Sequence, residues 1–308
     1  MASVNLCTPL LNPHAETGIN HFYDISFTSL KALHPNVNFV NTSSQWEISK
    51  VIDENTFMKI YDLATPINKA RLDAIRRPHA NAWLSAPPCQ MLNLELPNLE
   101  FQTSLFRWLG APIPQAATSL CAACQITLSP KAGHTTRCRH RGDIASRHNR
   151  IRDIVFSLAS NAHLEPIKEK ANILNNNPRR RPADVYIPQL FGGKAAALDI
   201  AVTCPLQDKY INLEIDPADH YADTVKHATY DEGFKGVDID FIPVVMDTFG
   251  GYGAEGLRAI TEIIRRGASR LNLPPSIYKT QCWQRLSLSL QKSNSRMVLT
   301  RVDHPEVF

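Results

Sequence analysis

The sequence predicts an α/β protein in which helices flank a mixed β-sheet. Residues 143–164 carry apolar side chains at helical spacing, and two strand-like segments follow at 183–190 and 195–205. A helix-like segment at 216–234 then precedes a buried strand at 237–248. This order of helix, strand, strand, helix and strand favours one α/β layer over a repeat or a helix bundle.

A mainly helical region is expected before this layer. Residues 67–86 include a short amphipathic helix that ends near Pro78, and residues 99–110 form a second helix that Gly110 terminates. The segment 111–119 is typical of a linker. An apolar stripe on the second helix is predicted from Leu99, Leu105, Trp108 and Leu109.

The sequence contains turn and capping residues that mark where the strands and helices of the α/β layer begin and end. A turn at Gly192 and Gly193 joins the first two strands, and Asp216 caps the next helix with Pro217 at its first position. Two further helices are predicted at 255–272 and about 280–295. The chain is therefore divided into a helical connector, a small metal-binding module and an α/β domain, at 1–115, 116–142 and 143–300.

Composition narrows the class of protein. The 308 residues are 44% hydrophobic, which is enough for one large domain or two modest ones. The net charge of +4 permits a nucleic-acid partner without requiring one. The N-terminus lacks the features of a secretory signal, and no run of about eighteen apolar residues occurs, so we expect a soluble intracellular protein without a membrane partner.

A group of cysteines and a histidine has the spacing of a zinc site. Cys121 and Cys124 form a Cys-x2-Cys pair, and His134 and Cys138 follow after a short loop. Sulfur and nitrogen ligands suit zinc, and four protein ligands leave no open position, so the site is expected to be structural. His140 competes with His134 as a ligand, and the alternative is that these are four unremarkable loop residues.

Two aspartates point to a second kind of site. Strand alternation places Asp199 on one face with alanine and threonine, and a hairpin brings it near Asp184. Two close carboxylates repel unless a cation lies between them, and a hard divalent ion such as Mg²⁺ fits oxygen ligands. Lys226 and Tyr230 lie four residues apart on a helix and could face the same site, and Glu165 could add a carboxylate.

These residues also have ordinary explanations. Asp184 could pair with Arg180 or Arg181, Glu165 could be a surface acid, and Lys226 could be solvated. The basic residues near the cysteine group, among them Arg147 and His148, suit phosphate contacts but are also typical of a solvated face.

Together, the motifs resemble those of a known family. The ordered series of CAAC, RHNRIRD, the Glu-Pro at 165–166, RRPADV, ALDIAVT, KHATY and FIPVVMDTFGG resembles the restriction-like endonuclease of non-LTR retrotransposons, a branch of the PD-(D/E)XK superfamily. The resemblance covers roughly residues 99 to 295, and the segment 286–299 also looks like the closing segment of such elements.

The resemblance implies a PD-(D/E)XK core preceded by a CCHC zinc knuckle. It assigns the two acids to Asp184, with Ala183 inserted after Pro182, and to Asp199. The usual lysine position two residues further on holds Ala201 instead, and the family moves the lysine to the following helix, which fits Lys226. The family's K-x-x-K-Y pattern reads with Thr229 in place of its second lysine.

The implied activity is nicking of one strand of target DNA in the nucleus, with Mg²⁺ or Mn²⁺ held by Asp184 and Asp199. Partners would be duplex DNA, RNA of the element and a reverse transcriptase domain that this chain lacks, so the chain would be a fragment, a truncated copy or a domesticated remnant. Expected DNA contacts are Arg147, His148, Arg179, Arg180 and Arg181.

Two alternatives remain open from the sequence. One is a zinc-containing nucleic-acid-binding module whose nuclease has decayed. The other is a structural protein in which Asp199 and Lys226 form an internal ion pair.

Overall fold

The computed structural model describes residues 28–35, 45–116, 120–131, 133–174, 177, 179–211 and 215–302. The chain divides into two compact units, Met1–Thr65 and Pro66–Phe308. In the first unit, residues 28–33 are helical and helix α1 spans Gln45–Asp62. The predicted boundaries after residues 115 and 142 both fall inside the second unit.

The second unit contains the predicted helices, and its last helix is much longer than predicted. A π-helical turn at Ala222–His227 connects α6 to α7, so the helix expected at 216–234 is continuous but not uniform. The helices are α2 Pro66–Arg76, α3 Asn98–Leu109, α4 Asp143–Asn161, α5 Asp208–Ile211, α6 Pro217–Tyr221, α7 Ala228–Phe234, α8 Ala254–Arg270 and α9 Pro275–Arg301.

A mixed four-stranded sheet forms the centre of the unit, which confirms the predicted α/β class with flanking helices. Its strands lie in the order β1 Ile167–Lys170, β2 Ala183–Phe191, β3 Lys194–Thr203 and β4 Ile239–Asp247. The first two pairings are antiparallel and the β3–β4 pairing is parallel. The parallel pair needs a crossover connection, which the segment containing α5 to α7 supplies.

The β2–β3 hairpin turns at two glycines. Gly192 and Gly193 have φ values of 56° and 83°, in the left-handed region that glycine adopts without a steric penalty. The predicted turn is therefore confirmed. Strand β1 was not predicted, because its sequence, Ile-Lys-Glu-Lys, is short, charged and largely exposed at the sheet edge.

Helices cover both faces of the sheet. Leu198 and Ile200 of β3 belong to the large apolar cluster that α4, α8 and α9 share with β2 and β4. Ala197 and Ala201 point the other way, toward the helix formed by α6, the π turn and α7. Asp199 is on this second face, where the predicted alternation placed it, and small neighbours give the helix room to approach.

Helix α3 has the predicted bounds but not the predicted apolar stripe. Its buried residues are Thr103 and Ser104, whereas Leu109 is 53% exposed. Leu105 and Trp108 are only partly buried, against the small cluster around Trp83. Helix α3 packs on α9, and its small hydroxyl residues take the buried positions. Gly110 ends the helix in the left-handed conformation, as predicted.

Candidate functional site

The Cys3His group comes together as a compact set of possible metal ligands. The ligand atoms of Cys121, Cys124, His134 and Cys138 all lie within 4.8 Å of one another. The sulfur of Cys138 is 3.9 Å from those of Cys121 and Cys124, and Cys124 Sγ is 3.0 Å from His134 Nε2. A tetrahedral zinc with bonds of about 2.3 Å to sulfur requires sulfurs about 3.8 Å apart. The group could therefore hold a metal such as zinc.

Local backbone structure positions these four side chains. The amides of Cys124 and Gln125 donate to the carbonyl of Cys121, which closes a tight turn around the first pair. His134 precedes a 3-10 turn at Thr135–Arg137 that leads into Cys138. Burial and the nearby Arg137 lower the pKa of His134, which favours the neutral imidazole that a metal ligand needs.

His140 is not part of this group, so the structure favours His134 over its competitor. The carbonyl of His140 instead accepts a hydrogen bond from Arg301 at 2.7 Å. The side chain of Arg301 is fully buried and also forms an ion pair with Asp143 at 2.5 Å. The cysteine module is thereby joined to the start of α4 and the end of α9.

The predicted acids meet across the β2–β3 hairpin. Because Val185 pairs with Leu198, Asp184 lies directly opposite Asp199. Asp184 Oδ1 is 3.1 Å from His148 Nε2, and its Oδ2 accepts the Ile200 amide at 2.6 Å. Lys226 Nζ donates to Asp199 Oδ2 at 2.8 Å. Two carboxylates and two potential cations are therefore gathered at one place in the sheet.

The two carboxyl groups differ in acidity. Burial raises the pKa of Asp199 to about 6, and the charge of Asp184 adds to this increase, against the effect of Lys226. Burial also acts to raise the pKa of Asp184, but His148 and the Ile200 amide outweigh it and the pKa falls. Neighbouring carboxylates that titrate differently are typical of sites that bind cations or move protons.

Both basic partners of these acids have raised pKa values. The hydrogen bond to Asp184 raises the pKa of His148. Burial acts to lower the pKa of Lys226, but Asp199 outweighs it, so the lysine pKa is raised. The predicted alternative of an Asp199–Lys226 ion pair thus describes a real contact, and it is compatible with either a structural or a catalytic role.

The helix that carries Lys226 begins where the sequence predicts. Asp216 accepts hydrogen bonds from the amides of Ala218 and Asp219, at 2.7 and 3.0 Å. The π turn lies between this cap and α7, and Lys226 is within it. Tyr230 follows on α7 with its ring 5.0 Å from that of Phe241, and it lies close enough to Lys226 to affect the lysine pKa.

The structure does not bring Glu165 to the acids. Ile167 pairs with Tyr186, so the β1 register places residue 169 opposite Asp184. Glu165 lies before the first residue of β1 and is exposed, and the hydrogen-bond partners of the two acids are His148, Ile200 and Lys226. The prediction of a further carboxylate from Glu165 is therefore not supported by its position.

Arg147 was predicted to contact DNA, and its position contradicts this. It is only 3% exposed and donates to the carbonyl of Thr136 at 3.0 Å and to Asn294 Oδ1 at 2.7 Å. Burial lowers its pKa to about 10. Arg147 is one helical turn before Ile151 on the inward face of α4, so it joins the cysteine module to α9 instead of facing solvent.

The other predicted DNA contacts are placed differently from one another. Arg179, Arg180 and Arg181 are exposed. Neither Arg180 nor Arg181 pairs with Asp184, since the Arg180 guanidinium lies 4.6 Å from the Tyr230 ring centre and Arg181 donates to Glu169 at 3.1 Å. His148 contacts Asp184. The sequence reasoning missed this contact, although His148 precedes Ile151 by three positions and so also faces inward.

One other group in the described part of the chain could in principle hold a metal, and it was not predicted. Ligand atoms of Asp223, His227 and Glu255 lie within 4.8 Å of one another. Both ring nitrogens of His227 contact carboxylates, Asp231 and Glu255, each at 2.8 Å. These contacts outweigh burial and raise the pKa of His227, so an ion-pair cluster accounts for the arrangement.

No protein-family model matches this chain, and no curated protein matches it. Within the described residues, no helix is both long and apolar enough to cross a membrane.

Proposed function

We propose that the second unit is a metal-dependent DNA endonuclease of the PD-(D/E)XK type with a structural zinc knuckle. The observation that carries this proposal is that Asp184 and Asp199 face each other on paired strands while Lys226 contacts Asp199 from the crossover helix. The mixed sheet with helices on both faces is compatible with such a core.

Asp184 and Asp199 fit a divalent cation because they are acids at directly opposed strand positions, with carboxyl groups close enough to affect each other's pKa. When bound, Mg²⁺ or Mn²⁺ would activate a water and neutralise charge on the phosphodiester. Lys226 would orient the attacking water or stabilise the charge that develops on the phosphate. Tyr230 would help position the lysine, and the exposed Arg179, Arg180 and Arg181 would hold the DNA backbone.

In this proposal the biological role is that of the retrotransposon endonuclease. The chain would nick target DNA in the nucleus as the C-terminal part of such a protein, or as a truncated or domesticated copy. The reverse transcriptase that primes from the nick and the RNA of the element would be its partners.

A nicking assay tests the proposal. The purified chain, incubated with supercoiled plasmid and Mg²⁺ or Mn²⁺, is expected to produce nicked circles, and Asp184→Asn or Asp199→Asn should lower the rate at least about 100-fold because the cation loses a ligand. Asp240→Asn is a matched control, since Asp240 is a carboxylate on β4 that pairs with Lys194 away from the acids. Nicking that survives both site variants would show that the assignment is wrong.

A second candidate is a nucleic-acid-binding module whose nuclease has decayed. The observation that favours it is the Thr229 side chain, which replaces a family lysine and donates to the carbonyl of Val225 in its own helix. Ala201 likewise leaves Lys226 as the one lysine beside the acids in the described region. This candidate predicts salt-dependent DNA binding without cleavage in any divalent metal.

A further inference from the structure

From Cys282 onward, helix α9 leaves a single stripe of side chains partly exposed, and most of them are cationic. From Cys282 to Val302 every residue is buried except five, and these recur every three or four positions along one face of the helix. Three of the five are basic. The stripe consists of Arg285, Ser289, Lys292, Arg296 and Thr300.

Four of these five residues, those from Arg285 to Arg296, line a groove of about 490 Å³ together with Arg150 of α4. Four cations and two acids, Glu95 and Asp153, line the groove. Asp153 is already engaged by Arg152 and Lys168, at 3.1 and 2.8 Å. The positive charge of the groove is therefore not neutralised by its own acids.

Three of the cations lack a carboxylate partner within the described residues. They are Arg150, Arg285 and Lys292, whereas Arg296 has Glu100 at 3.3 Å. Cations gathered in a concave surface without acidic partners attract anions, because the field is focused there.

We propose that this groove binds the phosphate backbone of a nucleic-acid strand, at a surface separate from the acids. From Arg285 to Arg296 the stripe extends eleven residues, or about 16 Å, which matches four to five nucleotides at about 3.4 Å each. Amide and hydroxyl groups of Gln90, Asn93 and Ser289 offer further donors to phosphate oxygens.

The lining indicates contact with the backbone and not with the bases. Its apolar members are Ile154 and Leu288, and no aromatic ring lines it on which a base could stack. Arg150 and His148 are two positions apart on α4, so they project about 200° apart around the helix. The groove is therefore not the surface on which His148 meets Asp184. The inference rests on the proposed nucleic-acid substrate, but it does not require cleavage.

Fluorescence anisotropy of the full chain tests this inference. The probes are labelled 20-nucleotide single strands of DNA and RNA, measured between 50 and 300 mM KCl without added divalent ions. In the triple variant Arg150→Gln/Arg285→Gln/Lys292→Gln, the negative slope of log affinity against log salt should decrease in magnitude by about 2, since each phosphate contact on a single strand contributes about 0.7. Affinity at 100 mM KCl should fall at least tenfold.

A matched control removes the same charge elsewhere. Lys194→Gln/Lys235→Gln/Arg265→Gln replaces three cations that already have carboxylate partners, so the slope should stay near that of the wild type. Ser289→Glu adds an anion to the groove without removing a basic side chain, and it should weaken binding in the same direction as the triple variant. Melting temperatures of all variants verify that they fold.

Three results would overturn the inference. They are an equal slope in the groove and control triples, a preference above about tenfold for DNA or RNA, and displacement of the strand by poly-L-glutamate at equal charge concentration. The last would identify an acidic protein as the occupant. If the wild-type protein does not nick plasmid but the groove variant loses strand binding, the proposed endonuclease activity is refuted and the groove inference is not. If the wild-type protein nicks plasmid but the groove variant binds the strand as tightly as wild type, the groove inference is refuted and the endonuclease proposal is not.

Discussion

Asp199 and Lys226 show how a buried charge is kept in a strand lined by alanine. The side chain of Asp199 is 10% exposed and that of Lys226 is 15% exposed, so both have lost most of their water. An isolated charge there would cost several kcal/mol, and the 2.8 Å contact offsets much of that cost. Asp184 opposes Asp199 as a like charge, which makes the lysine more important to the stability of the folded state.

Lys226→Met should destabilise the protein by about 2 kcal/mol at pH 7, because Asp199 is left buried beside Asp184 without a cation. Urea unfolding followed by circular dichroism measures the change. Lys194→Met is the control, since it removes an exposed lysine from a partly exposed pair and should change stability little. Equal effects of the two substitutions would contradict a buried role for the Lys226 pair.

Among the secondary-structure elements, helix α8 is connected to the end of strand β2 by a group of charged side chains. Arg266 donates to the carbonyls of Gln189 and Leu190, and Glu262 holds Arg265 and Arg266 in position. The hydrogen bond from Arg265, followed by that from Arg266, lowers the pKa of Glu262 to about 2. The ionised glutamate therefore stabilises the contact between the helix and the strand.

Because the pKa of Glu262 is lowered in the folded state, its carboxylate stabilises the folded protein at pH values above the ordinary glutamate pKa of 4.5. This stabilisation is lost as the pH falls toward 2. Glu262→Gln should lower the melting temperature by about 1–2 °C at pH 7, since the cluster is partly exposed and screened. The difference from wild type should shrink between pH 4.5 and pH 2. Melting curves at pH 7 and pH 3 measure it, and Glu232→Gln, on an exposed helix surface, is the control. A difference that grows in acid would contradict the assignment.

At the scale of the whole molecule, the cysteine module is part of the second unit and not an appendage. Its apolar residues share a cluster with Val298 and Val302 at the end of α9. Arg147 and Arg301 connect it to α4 and α9 through hydrogen bonds that are buried or partly buried. A metal held by the four ligands would therefore stabilise the unit as well as its own loop.

Cys138→Ser is expected to remove one equivalent of zinc and to lower the melting temperature by about 10 °C, since the loss spreads to α4 and α9. Elemental analysis of the purified protein and a thermal scan measure both quantities. Cys89→Ser, at a half-buried cysteine outside the group, should leave the zinc content unchanged. Equal zinc content in wild type and Cys138→Ser would show that the four residues are not a metal site.

Local signals in the sequence by themselves determined several helices and turns of this protein. The spacing of Ile151, Val155 and Leu158 predicted α4, Gly192 and Gly193 predicted the hairpin, and Asp216 with Pro217 predicted the start of the crossover helix. The same helical spacing places Arg147 and His148 on the inward face of α4, and the DNA assignment overlooked it. These features depend on residues that are neighbours along the chain.

Only the tertiary structure decided the exact contacts between residues that are far apart in sequence. The sequence placed Asp199 near Asp184 and allowed Lys226 to face the same site. The strand register showed that the two acids are directly opposite, and the π turn showed that Lys226 contacts Asp199 and is not solvated. Charged edge residues gave β1 no apolar pattern, and the cationic stripe of α9 appears only once the other faces of that helix are covered. The physical reason is that strand pairing, burial and charge pairing depend on which elements pack against each other. The periodicity of a segment indicates only its own preference for helix or strand and which of its faces is apolar.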